Sequence, residues 1–456
     1  MLRSLLATEL IQRRPTSRFS GTGEAEFRHD VLRAVVYDTI PLDDRPQLHR
    51  GAACWLEPAA GERGDEHAVV IAGHLDKADD RAAAAEWYVR AAGQAAGQAL
   101  FADALRLYAE ATRRIAEPVR RTDVLLGQVY TMVTAGCHDD AKRLVEPMLA
   151  PDSGATVSQQ LRVRGELARI YGLRDGNFEA AERVLLDGIA MQHLVPGDDP
   201  NRHFLEHQLG ILQITVGRYA AGAETLQRVI SRPISKAEQQ RRGWSINALA
   251  FAHAHLGNAE RAIALSHEAE RIAHEHNDPR LVMASTSQRA LVALRAGDWS
   301  SAIALFGRAQ QLNRRHGDVE KLATVANYLG HATLGLGDDV GSQAHFCEAA
   351  DVSQRAGVVT EQVRATIGLA AVAAHRGHRE LAVRVLAFAR RHPAAGGEAG
   401  NLAEWLEHTY ALGPADATAP DAAPLAADSG LAQVLELLRA SLADPELQPN
   451  DRKVPA

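Results

Sequence analysis

The residues whose spacing best suits catalytic chemistry form the string His203-Phe-Leu-Glu206-His207. On a helix the two histidines lie one turn apart on the same face, which suits two ligands of a zinc ion, and Glu206 could polarise a bound water. The chain contains 20 histidines, however, so that pairs at this spacing are expected by chance. The string also lies within a repeated helix, and this position favours a structural role over a metallopeptidase site.

A second set of polar residues recurs at one position of a repeat of about 40 residues. Its members lie ten residues before successive glycines, at Glu166, His207, Asn247, Ser287 and Asn327. Equivalent positions on adjacent helices would stack into a ladder, and Phe251, Leu291 and His331 would supply apolar and mixed contacts beside it. The ladder is the candidate partner-binding site. The alternative is that these side chains face water or bond between helices.

Other patterns that support catalysis or cofactor binding are absent from the sequence. No GxxxxGK[ST] phosphate loop occurs, and none of the five lysines follows a glycine-rich turn after a strand, so this chain alone should not hydrolyse ATP. No Ser/His/Asp set lies on a strand-turn-helix elbow. We therefore predict a protein that is not an enzyme, with no catalytic, cofactor-binding or metal-binding residues.

Composition and charge restrict the location and the partners. The formal net charge is −7 and no long basic run occurs, which argues against nucleic-acid binding. The cysteines Cys54, Cys137 and Cys347 are far apart and suggest a reducing cytosol, without a disulfide framework. No stretch approaches 18 apolar residues, so we expect a cytoplasmic protein without a signal peptide or membrane span.

The repeat that positions the ladder is marked by seven glycines at steps of 40 or 41 residues: Gly136, Gly176, Gly217, Gly257, Gly297, Gly337 and Gly377. Five residues after each glycine lies a small residue, for example Ala302. Nine residues after it lies in most repeats a bulky apolar one, for example Phe306. A fixed period of this length is typical of a solenoid, in which each unit buries its face by stacking on its neighbours.

One repeat shows how the sequence specifies a helical hairpin. Residues 241–256 have an apolar face at helical spacing, and Gly257 ends that helix because its turn needs a left-handed residue. Residues 259–276 form the second helix, which stops at Asn277-Asp278-Pro279. Small residues on both helices, such as Ala290 and Ala302, would let the pair pack closely.

The spacing divides the chain into four predicted regions. Residues 1–76 lack the repeat, and 77–411 carry it, including an irregular early unit around Phe101 and Tyr108. Residues 412–429 are rich in Ala, Pro and Asp and are predicted to be a linker. Residues 430–456 are predicted to form a short helix, up to residue 442, and a disordered tail.

The pattern of small, glycine, aromatic and bulky positions resembles the tetratricopeptide repeat, over roughly residues 80–391. The aromatic positions are Phe178, Tyr219 and Trp299. The family's period is 34 residues, so the longer repeat here indicates longer helices. The resemblance implies an all-α, tetratricopeptide-like α-solenoid, a right-handed superhelix of helical hairpins. It also places the polar ladder in the concave groove, where side-chain amides would hold a protein partner or a small effector.

The amino-terminal region adds a second resemblance. Residues 10–29 suggest two short strands around a Gly-rich turn, followed by helices at 30–39 and 44–57, the elements of a winged helix. The sequence around Phe27, Tyr37, His49 and Trp55 is similar to the junction that follows the ATPase core in bacterial signal-transducing (STAND-type) ATPases. Those ATPases are often fused to cyclase or LuxR-type domains.

The second resemblance implies a non-enzymatic interaction or sensor scaffold, the C-terminal repeat region of a bacterial signalling regulator. Its ATPase module would be lost from this chain or supplied on a separate polypeptide. The alternative is a regulatory fragment of a nucleotidyl cyclase or of a transcriptional regulator, and a self-contained adaptor is a further possibility.

Overall fold

The computed structural model describes residues 2–17, 22–60, 67–98, 100–173, 175–232, 239–316, 318–409, 412 and 431–442. The chain forms two compact units, residues 1–128 and residues 129–456. The boundary predicted at residues 76/77 rests on where the repeat begins, and it stays a prediction. None of the described helices combines the length and the apolarity that a membrane span requires.

The first unit begins with a small ribbon followed by helices. After α1 (Leu2–Ala7), the strands β1 (Ile11–Arg13) and β2 (Ala25–Phe27) pair antiparallel, with Ile11 opposite Phe27. The helices α2 (Asp30–Asp38) and α3 (Arg45–Ala60) follow. The predicted strands and helices of this region are therefore confirmed, while their assignment as a winged helix stays a prediction.

The rest of the first unit is helical. It contains α4 (Ala68–Lys77), α5 (Arg81–Gly97) and α6 (Phe101–Thr112), which pack in sequence. The α5–α6 hairpin is the irregular early repeat, and it buries Ala104, Leu107 and Tyr108. Asp76 at the end of α4 accepts a hydrogen bond of 2.6 Å from Arg114 Nε, and this bond lowers the pKa of the Asp76 carboxyl.

Helical hairpins account for most of the second unit. Its helices are α7 (Pro118–Thr134, which begins in the first unit), α8 (His138–Val145), α9 (Val157–Leu173), α10 (Phe178–Met191), α11 (Pro200–Thr215), α12 (Tyr219–Ser231), α13 (Gln239–His255), α14 (Ala259–Glu275), α15 (Pro279–Arg295), α16 (Trp299–His316), α17 (Val319–Gly335), α18 (Asp339–Ala356), α19 (Val359–His375), α20 (Arg379–Arg391), α21 (Gly397–Thr409) and α22 (Leu431–Leu442). We call the first helix of each hairpin, from α7 to α19, its A helix, and the second its B helix. The predicted stack of helical hairpins is confirmed.

The turn between the two helices of each hairpin depends on its glycine. All seven turn glycines have positive φ, from 60° at Gly176 to 91° at Gly377. Only glycine adopts this left-handed conformation without a steric penalty from Cβ. The prediction of a left-handed residue at these turns is confirmed, and the turns explain the constant spacing of the glycines.

The small and bulky positions of the repeat fit into each other. A Cβ at Gly210 would lie 2.7 Å from Leu226, and one at Gly330 would lie 2.6 Å from the ring of Phe346. Both bulky side chains are fully buried. The bulky residue nine positions after the turn therefore occupies the space left by the small residue seven positions before it, and this contact sets the approach of the two helices.

The second unit also contacts itself across several repeats. Cβ positions built at the turn glycines Gly136 and Gly176 would meet Ala356 and Ala394 at 3.0 and 2.3 Å. A Cβ at Gly397 would lie 2.2 Å from the carbonyl carbon of Val216. In line with these approaches, α9 contacts α19 and α11 contacts α21. The late repeats thus return to the early ones and enclose the space in front of the A helices.

The last described helix, α22, packs against α19. It buries Val434, Leu435, Leu438 and Leu442, and Arg376 donates a hydrogen bond of 3.1 Å to the Leu442 carbonyl. The predicted helix in this region is confirmed. The predicted linker, apart from Leu412, and the predicted tail lie outside the described residues.

Candidate functional site

A cavity in the second unit lies in front of its A helices and has a volume of about 490 Å³. Every A helix from α7 to α19 contributes to its wall. The wall contains aromatic side chains (Tyr130, Phe178, Phe204, Trp244), aliphatic ones (Leu185, Ile211, Leu212, Val229) and polar or cationic ones. Successive repeats supply the wall of this cavity, so the cavity is a surface on which the solenoid could hold an extended ligand.

Two arginines of α9 are held in place on one side of the cavity. The Arg162 guanidinium lies 3.8 Å from the centre of the Phe204 ring. Glu166, which is fully buried behind the wall, accepts hydrogen bonds of 2.9 Å from both Arg162 and Arg169. The buried carboxylate therefore fixes two guanidinium groups that line the cavity, and the aromatic ring beneath Arg162 limits its motion.

A hydrogen-bonded pair joins α11 to α13 at the next position. Ser245 Oγ and His207 Nδ1 are 3.0 Å apart, and both residues line the cavity. Burial lowers the pKa of His207 to about 4, and the positive charge of Arg169 contributes to this shift. The imidazole is therefore neutral at pH 7, and it offers a hydrogen-bonding surface without a charge.

The N-terminal turns of α13, α15, α17 and α19 form the other side. They present a set of residues at nearly the same repeat position: Gln240, Arg241, Arg242, Arg280, Lys321 and Thr360. Arg280 Nε donates to Asp318 at 2.9 Å, and Trp244 Nε1 donates to Asp278 at 3.1 Å. In total, five arginines and one lysine line the cavity, and no described Asp or Glu does.

The five residues of the predicted ladder have different environments in the structure. Of the five, His207 lines the cavity. Asn327 is fully buried and donates at 2.8 Å to Glu361, and Asn247 is also buried. Ser287 donates to the Met283 carbonyl in its own helix.

Glu166 lies behind the wall, as described above. The three neighbours of the ladder pack against rings or the core: Leu291 is buried, Phe251 lies 4.5 Å from the His255 ring, and His331 lies 4.8 Å from the Phe346 ring. A role of these residues in partner binding stays a prediction.

The HxxEH string has other contacts. The Glu206 carboxylate pairs with Arg232 at 2.6 Å, and His207 is bonded to Ser245. His203 is buried at the cavity wall. Within the described ranges no group of three or more His, Cys, Asp or Glu side chains could hold a metal ion.

One group of cavity residues that the sequence analysis missed lies 15 to 17 positions before the turn glycines, at the starts of α13, α15, α17 and α19. Early repeats contribute the middle of α9 and α11, whereas α15, α17 and α19 contribute only their first turns. Each repeat is rotated relative to the previous one, so a single repeat position does not follow the cavity. The cations Arg241, Arg280 and Lys321 at these helix starts could have been noticed.

Comparisons with known proteins identify the fold. No protein-family model matches the chain, and no curated protein matches it. A STAND protein with a tetratricopeptide repeat sensor from Pyrococcus horikoshii is similar in structure, with a TM-score of 0.51 and 14% identity. This match covers 90% of the present chain and 60% of that protein, so the chain spans about three fifths of that protein's length.

Two further solved structures are more distant. A Rap protein complexed with competence and sporulation factor has a TM-score of 0.48 and 14% identity, covering 70% of this chain and 87% of that one. NprR in complex with its cognate peptide NprX has a TM-score of 0.45 and 13% identity, covering 63% and 84%. The order of the hairpins and the match to the STAND protein confirm the predicted all-α, tetratricopeptide-like α-solenoid.

Proposed function

We propose that this chain is a non-enzymatic regulatory scaffold that binds a segment of a protein partner in the cavity of its second unit. The observation that carries the proposal is the cavity itself, which all the A helices from α7 to α19 line. Its wall combines aromatic and aliphatic side chains with guanidinium, amide and hydroxyl groups. This mixture suits a peptide, whose side chains need apolar contacts and whose backbone needs hydrogen bonds.

The wall has the preorganisation that binding requires. Glu166 fixes Arg162 and Arg169, and Ser245 fixes His207. Groups held in this way lose little conformational freedom when a ligand arrives, so more of the contact energy remains as affinity. Close backbone contacts between the early and the late repeats also hold the wall of the cavity in place.

The first unit is proposed to dock on another folded module, the signalling ATPase of a parent system in cis or in trans. Its helix α2 buries none of its residues, and Val31 and Val35, one turn apart on one face, are 74% and 57% exposed. On α3, Leu48 and Trp55 are 56% and 50% exposed. Apolar side chains exposed at helical spacing are typical of a docking surface.

A library of random nine-residue peptides displayed on phage tests the cavity. Gly172 lines the cavity, and a Cβ there meets no described atom within 4 Å, so Gly172→Phe adds a ring at the cavity wall with no clash at Cβ. Gly307 on the B helix α16 is equally open and does not line the cavity, so Gly307→Phe is the matched control.

We expect peptides that bind the unaltered chain and Gly307→Phe but not Gly172→Phe, with the melting temperatures of both variants within a few degrees of the unaltered chain. The proposal fails if every selected peptide binds Gly172→Phe as well as it binds the control.

A further inference from the structure

We propose that a hydrogen-bond chain through Tyr37, His49 and His74 is a pH-sensitive clamp that holds α2 on α3 and α4 in the first unit. The clamp is closed while the two imidazoles carry at most one added proton between them, and it opens when both rings are protonated. The inference concerns how α2 is held within its own unit, so it does not depend on the docking of α2 on a partner.

Helix α2 has little apolar burial to keep it in place. None of its residues is buried, and Val31 and Val35 are 74% and 57% exposed. A helix of nine residues is too short to be stable by itself in water. The position of α2 therefore depends on the few side chains that bind it.

Two residues of α3, one helical turn apart, bind the C-terminal end of α2. The Arg45 guanidinium lies 4.6 Å from the centre of the Tyr37 ring, and Arg45 Nε donates to the Ile40 carbonyl at 3.0 Å. His49 Nε2 lies 2.8 Å from the Tyr37 hydroxyl oxygen. One tyrosine of α2 is thus held at its ring face by Arg45 and at its hydroxyl by His49.

The second nitrogen of His49 continues the chain to α4. His49 Nδ1 and His74 Nδ1 are 2.9 Å apart, and a hydrogen bond between two ring nitrogens needs one proton between them. A neutral imidazole has one donor and one acceptor nitrogen. In the neutral pair the Tyr37 hydroxyl can therefore donate to His49 Nε2 while His49 Nδ1 donates to His74 Nδ1.

This chain accepts a first added proton but not a second. A protonated His49 donates from Nδ1 to His74 and from Nε2 to the Tyr37 oxygen, so every hydrogen bond of the chain is kept. With both rings protonated, two N–H groups would face each other at 2.9 Å, and two positive charges would lie side by side. The rings must then separate, and the separation withdraws His49 from Tyr37.

The charges around the pair also oppose its protonation. Burial lowers the pKa of both imidazoles, and the positive charge of Lys77 adds to both shifts. The positive charge of Arg45 adds to the shift of the His49 pKa. Other charged groups of the neighbouring helices are bound elsewhere: Asp38 of α2 pairs with Arg45 at 3.8 Å, Asp76 of α4 accepts hydrogen bonds from Arg114 and from Tyr88 of α5, and Arg50 of α3 donates to the Ala78 carbonyl.

The direction and size of the pH effect follow from the excluded proton. In the open state each imidazole binds a proton near pH 6.5, whereas the closed state excludes at least the second one. The open state therefore gains population as pH falls below 6.5, by up to about tenfold per pH unit for each excluded proton. For one excluded proton the gain between pH 7 and pH 5 is about 25-fold.

Hydrogen exchange of the full chain, measured by mass spectrometry from pH 5 to pH 8, tests the clamp. Exchange in peptides from α2 is expressed relative to peptides from α16 in the second unit, so that the intrinsic pH dependence of amide exchange cancels. We expect the relative protection of α2 to be constant above pH 7 and to fall about 10-fold to 25-fold between pH 7 and pH 5. An unchanged relative protection over this range would overturn the proposal.

Two matched histidine substitutions identify the origin of the effect. The amide introduced by His74→Gln can accept the hydrogen bond from a protonated His49, so the pH dependence of α2 should shrink to less than about threefold. His29 is exposed directly before α2, where its positive charge at low pH would oppose the helix dipole. His29→Gln should keep the full pH dependence, and its loss in this variant would overturn the assignment to the clamp.

Tyr37→Phe tests the link between the imidazole pair and α2, and it decides the question if His74→Gln does not fold. The substitution removes the hydroxyl that His49 binds and keeps the ring against Arg45. We expect the relative protection of α2 to be lower at pH 7 than in the unaltered chain, and to depend less on pH. A variant with the protection and the pH dependence of the unaltered chain would show that His49 does not hold α2.

Discussion

The Phe346 ring is enclosed by two glycines, and this enclosure makes Gly368→Ala an informative substitution. Gly330 on α17 and Gly368 on α19 both approach the Cδ1, Cε1 and Cζ atoms of the ring. A Cβ at Gly368 would lie 2.2 Å from Cε1 of the ring, whereas carbon atoms normally approach to about 3.5–4.0 Å. The ring has little room to move, because it is also tight against Gly330, where a Cβ would lie 2.6 Å from the same Cε1 atom.

The magnitude follows from two opposing effects. In a helix interior, alanine is more stable than glycine by about 0.5–1 kcal/mol. Overpacking a core costs about 1–3 kcal/mol, and the short contact at Gly368 places it in the upper half of that range. We therefore expect a net destabilisation of about 1–2.5 kcal/mol for Gly368→Ala. For Gly307→Ala, where no described atom lies within 4 Å, we expect a gain of about 0.5–1 kcal/mol.

Hydrogen exchange measured by mass spectrometry on peptides from α17, α18 and α19 reports the local stability of these helices. Exchange should become faster in Gly368→Ala and stay unchanged there in Gly307→Ala. In Phe346→Leu the ring is removed, so adding Gly368→Ala should cost less than it does in the unaltered chain. If Gly368→Ala slows exchange, or if the two substitutions are additive, the packing of Phe346 between glycines is wrong.

Three further outcomes follow from the structure. Ala302→Arg buries a charge between α15 and α16 and should cost several kcal/mol; an unchanged melting temperature would contradict this packing. Gly397→Ala should speed hydrogen exchange at the turns of residues 136, 176 and 217, because the added Cβ pushes the late repeats away from the early ones. Gly400→Ala is the control, since a Cβ there meets no described atom within 4 Å, and it should leave exchange unchanged. Equal effects of the two substitutions would refute the contact between early and late repeats.

The pKa of His207 is about 4 in the folded chain and near 6.5 in the unfolded chain, so only the unfolded chain binds the proton between these values. The free energy of unfolding should therefore fall as pH decreases from 6.5 to 4, by at most about 1.4 kcal/mol per pH unit from this group. His207→Gln should flatten the dependence of melting temperature on pH, and an equally steep profile would exclude this origin.

The fold could be predicted from the sequence because the repeat spacing encodes local requirements. Each turn needs a left-handed residue, so the glycines recur at nearly constant steps. Each close helix pair needs a small residue facing a bulky one, as at Gly210 and Leu226. These constraints involve residues that are near in sequence, and they recur in every hairpin.

The candidate site was harder to predict because it depends on contacts between distant repeats. The sequence shows that Glu166 and Asn327 share a repeat position, but not that one lies behind the cavity wall while the other bonds to Glu361. The return of residues 394–397 to the early turns was also invisible, since it joins segments about 180–220 residues apart. His207 was found because it lies where the early repeats contribute the middle of their A helices.

Photo-crosslinking tests the binding cavity most directly. A peptide selected on the unaltered chain, with benzophenone-alanine at its central position, is irradiated in the complex, and the attachment sites are mapped by mass spectrometry. We expect attachment on the cavity faces of α11 and α13, near Phe204 and Trp244, and none in Gly172→Phe. Attachment on the exposed faces of the B helices α12, α14 or α16 would show that the partner binds elsewhere on the solenoid.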